Sequence, residues 1–412
     1  MPSPEFFQVL PVADALALLD RRWQPQPRRE IMATAAALDR VLAADAFSPE
    51  PIPAFRKSAV DGYALRAADT FGASQSLPAI LRLRGELKMG EAPPVDIAGG
   101  DALLIHTGGM LPASADAVVM VEYAQAIDED EVEILRAAAP GENVIQAGED
   151  IIAGALVLPR QHRLRAQDIG GLLAVGLHEV NVLAMPRVGI LSCGDELTPP
   201  DATLTPGMVR DINAYTLSAL AEKHDGAPLR LGIASDSLTD YRQRAKAGFA
   251  RCDILLLSAG SSVSARDYTR DVINGLGEPG VLQHGLATKP GKPTIIAVCD
   301  NKPVIGLPGN PASALLVAWQ LLPHLIARHL GRKPHPPATR TARLSQRVAS
   351  VTGREDWLPV KLTLAEDGGT MAEPIFGKSN LIFTLIGADG LLRVPLNTGG
   401  IEAGAIIEAR LL

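Results

Sequence analysis

Three short apolar runs decide the fold: RVGILSC at 187–193, CDILLLSAG at 252–260 and KPVIGLPG at 302–309. Their composition is typical of buried β-strands. Helical patterns follow near 211–223 and at 310–330, where Asn310 suits the N-cap and Pro311 the first helical position. Within the second pattern, Pro323 is expected to kink or interrupt the helix. Strands that alternate with helices predict a parallel sheet that helices cover on both faces.

Changes of composition along the chain predict a multidomain α/β protein. The apolar spacing predicts an amphipathic helix at 12–22, and residues 30–44 repeat that helical character. The prolines of SPEPIPAF (48–55) then lead into a β-rich stretch. We therefore expect a discontinuous linker domain of residues 1–47 and 150–185, an inserted β-rich domain of residues 48–149, a central α/β domain of residues 186–331 and a small C-terminal β domain of residues 332–412.

The composition excludes several classes of protein. The 412 residues include 39 Lys or Arg and 46 Asp or Glu, for a net charge of −7, and no basic block offers a grip on nucleic acid. No apolar run approaches the ~18 residues that cross a bilayer, and the N-terminus lacks the pattern of a secretory signal. Three distant cysteines argue against a disulfide framework. We therefore expect a soluble, reduced, cytoplasmic protein that binds neither nucleic acid nor membrane.

Acidic residues follow the predicted strands of the α/β domain. Ligands of an open parallel sheet bind beyond the carboxyl ends of its strands. Two like charges ~4 Å apart repel by roughly 4 kcal/mol at an effective dielectric constant of 20, and Mg²⁺, which also takes phosphate oxygens, would relieve that repulsion. The alternative is that these acids are ordinary turn residues. The four acids are Asp195, Glu196, Asp236 and Asp267.

Two further loops have the chemistry of an anion site. The small residues at 258–264 leave backbone N–H groups open to the close approach of an anion. KPGKP (289–293) supplies Lys289 and Lys292 as fixed positive charge. The residues therefore predict a site for a phosphorylated ligand, a metal ion and a second oxyanion. KPGKP is equally typical of a rigid turn, and GLPGNPAS (306–313) of a helix cap.

Together these motifs resemble the molybdopterin molybdenumtransferases, a family that includes the MoeA proteins and the E-domain of gephyrin. The resemblance covers residues 10–410. Its motifs occur in the order of that family: SAVDGYA (58–64), TGGMLPASADAVVMVE (107–122), GEDI (148–151), SCGDEL (192–197), TKPGKP (288–293) and GLPGNPAS (306–313).

The resemblance implies an elongated homodimer of four-domain subunits. It implies the insertion of molybdate into adenylylated molybdopterin with Mg²⁺ and the release of AMP, at a cleft where the α/β domain faces the partner subunit's second domain. The implied metal ligands are Asp195, Glu196, Asp236 and Asp267. The implied catalytic residues are Asp61, Thr107, Asp150, Glu196, Asp236 and Asp267. The implied substrate-binding residues are Ser58, Gly194, Gly260, Ser262, Lys289, Lys292, Pro308, Gly309, Asn310, Ser313, Arg354 and Ser379.

The sequence departs from the family at several positions. The usual GGxSVGxxD loop reads AGSSVSARD at 259–267, and Gly285 stands where a lysine is common. Fewer glycines restrict φ and the approach of a phosphate. These changes fit a specialised paralogue, so the alternative function is a non-catalytic chaperone that binds the molybdenum cofactor for a client molybdoenzyme. Client molybdoenzymes and a molybdopterin adenylyltransferase are the further partners that we expect.

Overall fold

The computed structural model describes residues 9–259, 263–334, 336–366, 368–378 and 380–412, with the backbone alone for 263–267. The chain forms two compact units. The first contains the N-terminal segment up to Arg28 and Ala184–Leu412, and the second contains Arg29–Leu183. Within the described residues, no helix combines the length and the apolar composition that a bilayer crossing requires.

Helix α1, Val12–Arg22, has the predicted bounds but belongs to the first unit. Asp20 near its end is held by two residues of the long helix of that unit. His324 Nε2 lies 2.9 Å from a carboxylate oxygen of Asp20, and Arg328 donates a 2.6 Å hydrogen bond to its carbonyl. Residues 9–28, part of the predicted linker segment 1–47, therefore group with the α/β part in the first unit.

The second unit is built mostly from β-strands. Its elements are β1 Arg29–Ala33, β2 Ala46–Phe47, β3 Lys57–Ser58, β4 Gly62–Leu65, β5 Ala79–Leu87, β6 Asp101–Ile105, β7 Ala117–Met120, β8 Ala124–Ala126, β9 Glu131–Ile134, β10 Val144–Ile145, β11 Leu156–Leu158, α2 Ala166–Ala174 and β12 Glu179–Leu183. A six-stranded sheet has the order β7-β4-β6-β5-β9-β8. Strand β1 pairs with β12, and β2 pairs with β11. The segments that precede and follow the six-stranded sheet in the sequence are therefore hydrogen-bonded to each other.

The helix predicted over 30–44 is wrong. Residues Arg29–Ala33 form β1, which pairs antiparallel with β12, and only Thr34–Ala36 makes a 3₁₀ turn. The Thr34 backbone N–H and hydroxyl donate hydrogen bonds to the carbonyls of His178 (2.8 Å) and Leu177 (2.6 Å). Pairing with a distant segment has therefore overridden the local helical spacing.

The α/β part of the first unit alternates strands and helices. Its elements are β13 Arg187–Cys193, β14 Leu197–Thr198, β15 Val209–Arg210, α3 Asn213–Lys223, β16 Ala227–Ala234, α4 Leu238–Phe249, β17 Ile254–Ala259, α5 Val263–Asn274, β18 Pro279–His284, β19 Thr288–Lys289, β20 Ile295–Cys299, β21 Lys302–Pro308 and α6 Pro311–His329. Helix α6 continues through Pro323, so of the two predicted effects the interruption does not occur, and the kink stays a prediction.

The central sheet has the order β16-β13-β17-β21-β20-β18. The first four strands are parallel, as predicted, whereas β20 runs antiparallel to both β21 and β18. Asp300 and Asn301 connect β20 to β21, and both have positive φ (43° and 59°), which is the geometry of a tight two-residue hairpin. The sheet is therefore mixed, because a hairpin replaces a helical crossover at this edge.

The C-terminal part is a small barrel. Its elements are β22 Thr339–Leu344, β23 Val348–Ala349, β24 Glu355–Leu364, β25 Thr370–Pro374, α7 Phe383–Ile386, β26 Gly390–Val394, β27 Gly400–Ile401 and β28 Ile406–Leu411. The order β24-β25-β22-β28-β26 closes through a pairing of β26 with β24. Strand β19 of the α/β part extends this sheet, because it pairs in parallel with the start of β24.

An apolar cluster joins α6 to the barrel within the first unit. Leu316 of α6 is buried with Trp357, Leu385 and Leu391 of the barrel. The rings of Trp319 and Trp357 meet edge to face, with centroids 5.8 Å apart, an arrangement that aromatic pairs favour. This cluster fixes the start of α6 against the start of β24.

Asp168 anchors the first turn of α2 in the second unit. It is almost completely buried and accepts hydrogen bonds from the backbone N–H and Nε of Arg165 (2.8 and 2.9 Å). His162 Nε2 lies 2.7 Å from the same carboxylate. The bond from the Arg165 side chain, with these other contacts, holds the pKa of Asp168 well below its usual range.

We expect Asp168→Asn to lower the free energy of unfolding at pH 7 by about 1.5–3 kcal/mol, the value of hydrogen bonds to a charged group. The folded-state pKa lies below the unfolded value near ~4, so this stabilisation is present above that pH and is lost as the pH falls. Urea unfolding at pH 7 and at pH 3.5 measures the difference, which should shrink at the lower pH. Asp39→Asn, at an exposed ion pair with Arg163, is the control, and an equal loss at both pH values would contradict the prediction.

Candidate functional site

Two acids meet at the carboxyl edge of the central sheet. Asp195 follows β13 and Asp236 follows β16, and these strands are neighbours. The backbone N–H of Asp236 donates to Oδ1 of Asp195 (3.1 Å), and the N–H of Asp195 to Oδ2 of Asp236 (3.4 Å). Because each carboxylate accepts the N–H of the other residue, part of the expected repulsion is relieved by the backbone.

Glu196 lies close to the same pair. Its carboxylate lies against Gly194, where a Cβ would approach Oε2 to 2.5 Å. Burial, followed by the negative charges of Asp236, Asp195 and Glu196, raises the pKa of the Cys193 thiol to about 12. Three of the four predicted acids therefore act on one buried thiol, which stays protonated at neutral pH.

The acidic side chains at this edge fit a metal site that leaves coordination positions for water or substrate. They do not fit a site in which protein side chains fill every position. Among the described side chains, no three His, Cys, Asp or Glu residues are arranged to hold a metal ion. Asp195 and Asp236 would supply the one or two carboxylates that Mg²⁺ typically takes, and water and phosphate oxygens would complete its shell. Asp267 lies in α5 with only its backbone described, and Gly260 and Ser262 lie outside the described residues.

A buried carboxylate brings two cations together beside β19. The register aligns Lys289 with Asp356. Lys289 Nζ lies 4.0 Å from Oδ2 of Asp356, and Arg354 Nε donates a 2.9 Å hydrogen bond to Oδ1. Asp356 is 3% exposed. It therefore contacts both cations from the protein interior, while the side chains of Lys289 and Arg354 remain partly exposed.

A cavity of about 1060 Å³ lies between the KPGKP turn (289–293), the start of α6 and the barrel. Its size is that of a site for an organic ligand. The described wall contains four cationic side chains, those of Lys289, Lys292, Arg354 and Lys378. Ser379 lies outside the described residues. The predicted residues that line the cavity are Lys289, Lys292, Pro308, Asn310, Ser313 and Arg354.

The loop GLPGNP connects the central sheet to this cavity. Pro308 ends β21, and Asn310 precedes α6, where its carbonyl accepts the N–H of Ala314 (2.9 Å). The carbonyl of Gly309 accepts a 2.9 Å hydrogen bond from Nδ2 of Asn213. The loop is thus both a helix start and a part of the cavity wall.

Two glycines shape the KPGKP turn. Gly291 has φ +113°, and a Cβ there would lie 2.1 Å from Cγ2 of Val317. Gly285 has φ +108°, a region that residues with a side chain rarely adopt. A glycine at 285 therefore suits the backbone of the segment that leads into this turn.

Asp61 and Thr107 meet in the second unit. The backbone N–H and the hydroxyl of Thr107 donate to Oδ1 of Asp61 (2.7 and 3.0 Å). The backbone bond is the main cause that lowers the pKa of Asp61, and His106 nearby adds to it. Since 60% of the Asp61 side chain is exposed, its carboxylate is ionised and accessible.

Ser58 and Asp150 take different places in the same unit. Ser58 is fully buried, and its hydroxyl donates to the carbonyl of Val60 (2.5 Å). It therefore shapes the loop before Asp61. Asp150 is exposed, and its N–H bonds the carbonyl of Ile52 (3.0 Å).

Three family models together match most of the chain. They are the MoeA N-terminal region (domain I and II) at residues 10–176, the "probable molybdopterin binding domain" at residues 189–327 and the MoeA C-terminal region (domain IV) at residues 341–412. The chain belongs to the MoeA family. The order of its motifs, read from the sequence, identified the family correctly.

Individual relatives agree with this assignment. The molybdopterin molybdenumtransferase of Haemophilus influenzae is 30% identical over 377 residues, which are 90% of this chain and 91% of that protein. The enzyme of the same name from Bacillus subtilis is 30% identical over 396 residues, 95% and 91% of the two chains. The crystal structure of a MoeA molybdopterin biosynthesis protein from Pyrococcus horikosii has a TM-score of 0.86 and 36% identity, and the match covers 98% of this chain and 99% of that one.

Two residues of this MoeA chain were missed by the sequence reasoning. Asp356 holds Lys289 and Arg354, and Asn213 bonds Gly309. Asp356 is the last residue of GRED, two positions after the motif's arginine, which was a weak signal for it. The sequence analysis selected residues that directly follow predicted strands. Asn213 does not directly follow one, so it was not selected.

Gly291→Ala should disturb the KPGKP turn, because the new Cβ meets both a positive φ and Val317. We expect the free energy of unfolding to fall by about 2–4 kcal/mol, from backbone strain plus overpacking. Gly353→Ala is the matched control, since it has φ +91° with no atom within 4 Å of its Cβ position, and should lose only about 1–2 kcal/mol. Chemical denaturation measures both, and equal losses would exclude a contribution from the Val317 contact.

Proposed function

We propose that this protein is a molybdopterin molybdenumtransferase that inserts molybdate into adenylylated molybdopterin and releases AMP. The observation that carries the proposal is the buried carboxylate of Asp356, which holds Lys289 and Arg354 at the wall of the 1060 Å³ cavity. Asp195 and Asp236 meet at the carboxyl edge of the central sheet. Curated relatives that match about nine-tenths of the chain carry this enzyme's name, which supports the same activity here.

The cavity has the charge of an oxyanion site. Among the described residues, its wall carries Lys289, Lys292, Arg354 and Lys378 against one acid, Asp356. Lysine and arginine only donate hydrogen bonds, so these groups favour a tetrahedral dianion such as molybdate. A site for a small dianion alone would not need this volume, so the remaining space can take the organic part of the second substrate.

The acid pair serves the phosphate end of that substrate. We propose that Asp195 and Asp236 hold Mg²⁺, with Glu196 beside them. When bound, the ion would supply positive charge to the phosphate oxygens of the adenylyl group. The reciprocal backbone bonds keep both carboxylates oriented before any ligand arrives, which lowers the cost of organising the site.

The proposed reaction balances without a redox partner. Two molybdenum–sulfur bonds form to the dithiolene while an oxygen of molybdate leaves as water with the two thiol protons. The phosphoanhydride bond to AMP breaks by the addition of water, so AMP departs and molybdenum keeps its oxidation state. The lysines and Arg354 would hold molybdate beside the sulfur atoms, which raises the effective concentration of the two reactants.

The second unit is proposed to complete the site across a homodimer. Asp61 and Thr107 form an accessible, ionised group, and the resemblance pairs such a group with the α/β domain of the partner subunit. Asp150 would join them. Under this proposal each dimer has two equal sites, and each site takes residues from both subunits.

AMP release tests the activity. Purified protein with adenylylated molybdopterin, Mg²⁺ and molybdate should release AMP, and Lys289→Ala should raise the molybdate concentration for half-maximal rate about tenfold, as expected for the loss of one charged hydrogen bond. Lys361→Ala, an exposed lysine on β24, is the control and should leave it unchanged. Tight binding of finished cofactor with no AMP release would favour the chaperone instead.

Mixed dimers test the shared site. Asp61→Ala and Asp195→Ala should each be inactive as homodimers, with melting temperatures near that of the native protein because both residues are exposed. Randomly mixed dimers should regain about a quarter of native activity, since half the dimers keep one intact site. Absence of any recovery in verified heterodimers would contradict a site shared between subunits.

A further inference from the structure

Asn213 connects the end of strand β17 to the loop after β21, beneath the carboxyl edge of the central sheet. Its Nδ2 donates one hydrogen bond to Oγ of Ser258 (2.8 Å) and one to the carbonyl of Gly309 (2.9 Å). Ser258 lies at the carboxyl end of β17, and Gly309 directly follows β21. Both hydrogens of one amide therefore tie a strand end to the loop that leads into α6.

The local sequence fixes this amide. Asn213 is the first residue of α3 and is 7% exposed. A carboxylate oxygen of Asp211 accepts the N–H of Ala214 (3.2 Å), and the N–H of Asp211 bonds the carbonyl of Thr198 (2.8 Å). The start of the helix is thus anchored on both sides, and Asn213 is held under the sheet edge.

Stability alone does not explain an asparagine at this position. Oδ1 of Asn213 is buried, and it has no hydrogen-bond partner among the described residues. Oγ of Ser192, which aligns with Ser258 in the sheet register, is buried and unpartnered in the same part of the chain. A buried acceptor without a partner costs free energy, whereas an apolar side chain would avoid that cost but could not donate to Gly309.

We propose that Asn213 is a positioning residue for the oxyanion cavity, and that it acts by holding the Gly309 carbonyl at the end of β17. Gly309 lies between Pro308 and Asn310, which both line the cavity, and Ser313 follows one turn later. Asn213 is not part of the described cavity wall. It sets the place of these wall residues without touching the ligand.

The position of this loop matters because α6 is packed against the barrel. Helix α6 is 19 residues long and packs on the barrel through Leu316 and Trp319. The loop therefore has little freedom at its α6 end, and the Asn213 amide restrains its β21 end. A shift of a catalytic or binding group by ~1 Å can cost a large factor in rate or affinity.

The test uses Asn213→Ala in the full-length protein with molybdate as the probe. Calorimetry should show molybdate binding about tenfold weaker than in the native protein, because the wall residues lose their restraint. Hydrogen–deuterium exchange should be faster in peptides covering 306–316 and unchanged in the barrel strands β25 and β28. Ser218→Ala is the matched control, since it removes another buried side-chain hydrogen bond of α3, from Oγ of Ser218 to the carbonyl of Ala214 (2.7 Å), and leaves the Gly309 bond in place.

The outcomes separate this inference from the proposed function on which its choice of probe rests. Ser218→Ala should change molybdate affinity less than twofold. Native exchange at 306–316 in Asn213→Ala, or an equal effect of Ser218→Ala, would overturn the positioning role. If the native protein fails to bind molybdate, the proposed function loses its oxyanion site, while the exchange data still decide the role of Asn213. Should Asn213→Ala not fold, Asn213→Ser gives the same comparison.

Discussion

Strand β19 has only two residues, yet its pairing with β24 determines where the cations of the cavity lie. Thr288 and Lys289 align with Glu355 and Asp356, and the N–H of Glu355 bonds the carbonyl of Ala287 (2.8 Å). Backbone hydrogen bonds of this kind specify register, and a slip of one residue would turn Lys289 to the opposite face. The cavity exists in this form because two parts of the first unit share one sheet.

The site manages its charges in two different ways. At the cavity, one buried carboxylate, Asp356, offsets part of the charge of Lys289 and Arg354 and orients both. At the sheet edge, Asp195 and Asp236 exchange backbone hydrogen bonds, so like charges are held close without a nearby lysine or arginine ion pair among the described contacts. The first arrangement leaves a surplus of positive charge and the second a surplus of negative charge. Such a division suits two ligands of different charge, one at each place.

Much of the α/β part followed from the sequence, because its strands are short apolar runs and its helices have clear spacing. Long-range pairings did not follow: residues 30–44 have helical spacing but pair as a strand, and the hairpin at Asp300 and Asn301 makes the sheet mixed. In the site, Lys289 and Arg354 belong to motifs that the resemblance identified. Asn213 could not be found in this way, since the carbonyl that it bonds lies 96 positions along the chain.

The shared sheet also limits how this chain can be recombined. The C-terminal barrel closes on itself through β24 and β26, which gives it the outline of an exchangeable module. Its edge, however, is occupied by a strand that the preceding domain contributes. In a chimera that carries the barrel of a relative, the foreign β24 would have to pair with β19 of this chain, which leads into the KPGKP turn. The turn and the barrel therefore have to be exchanged together. Natural shuffling of these segments is constrained by the same two-residue strand.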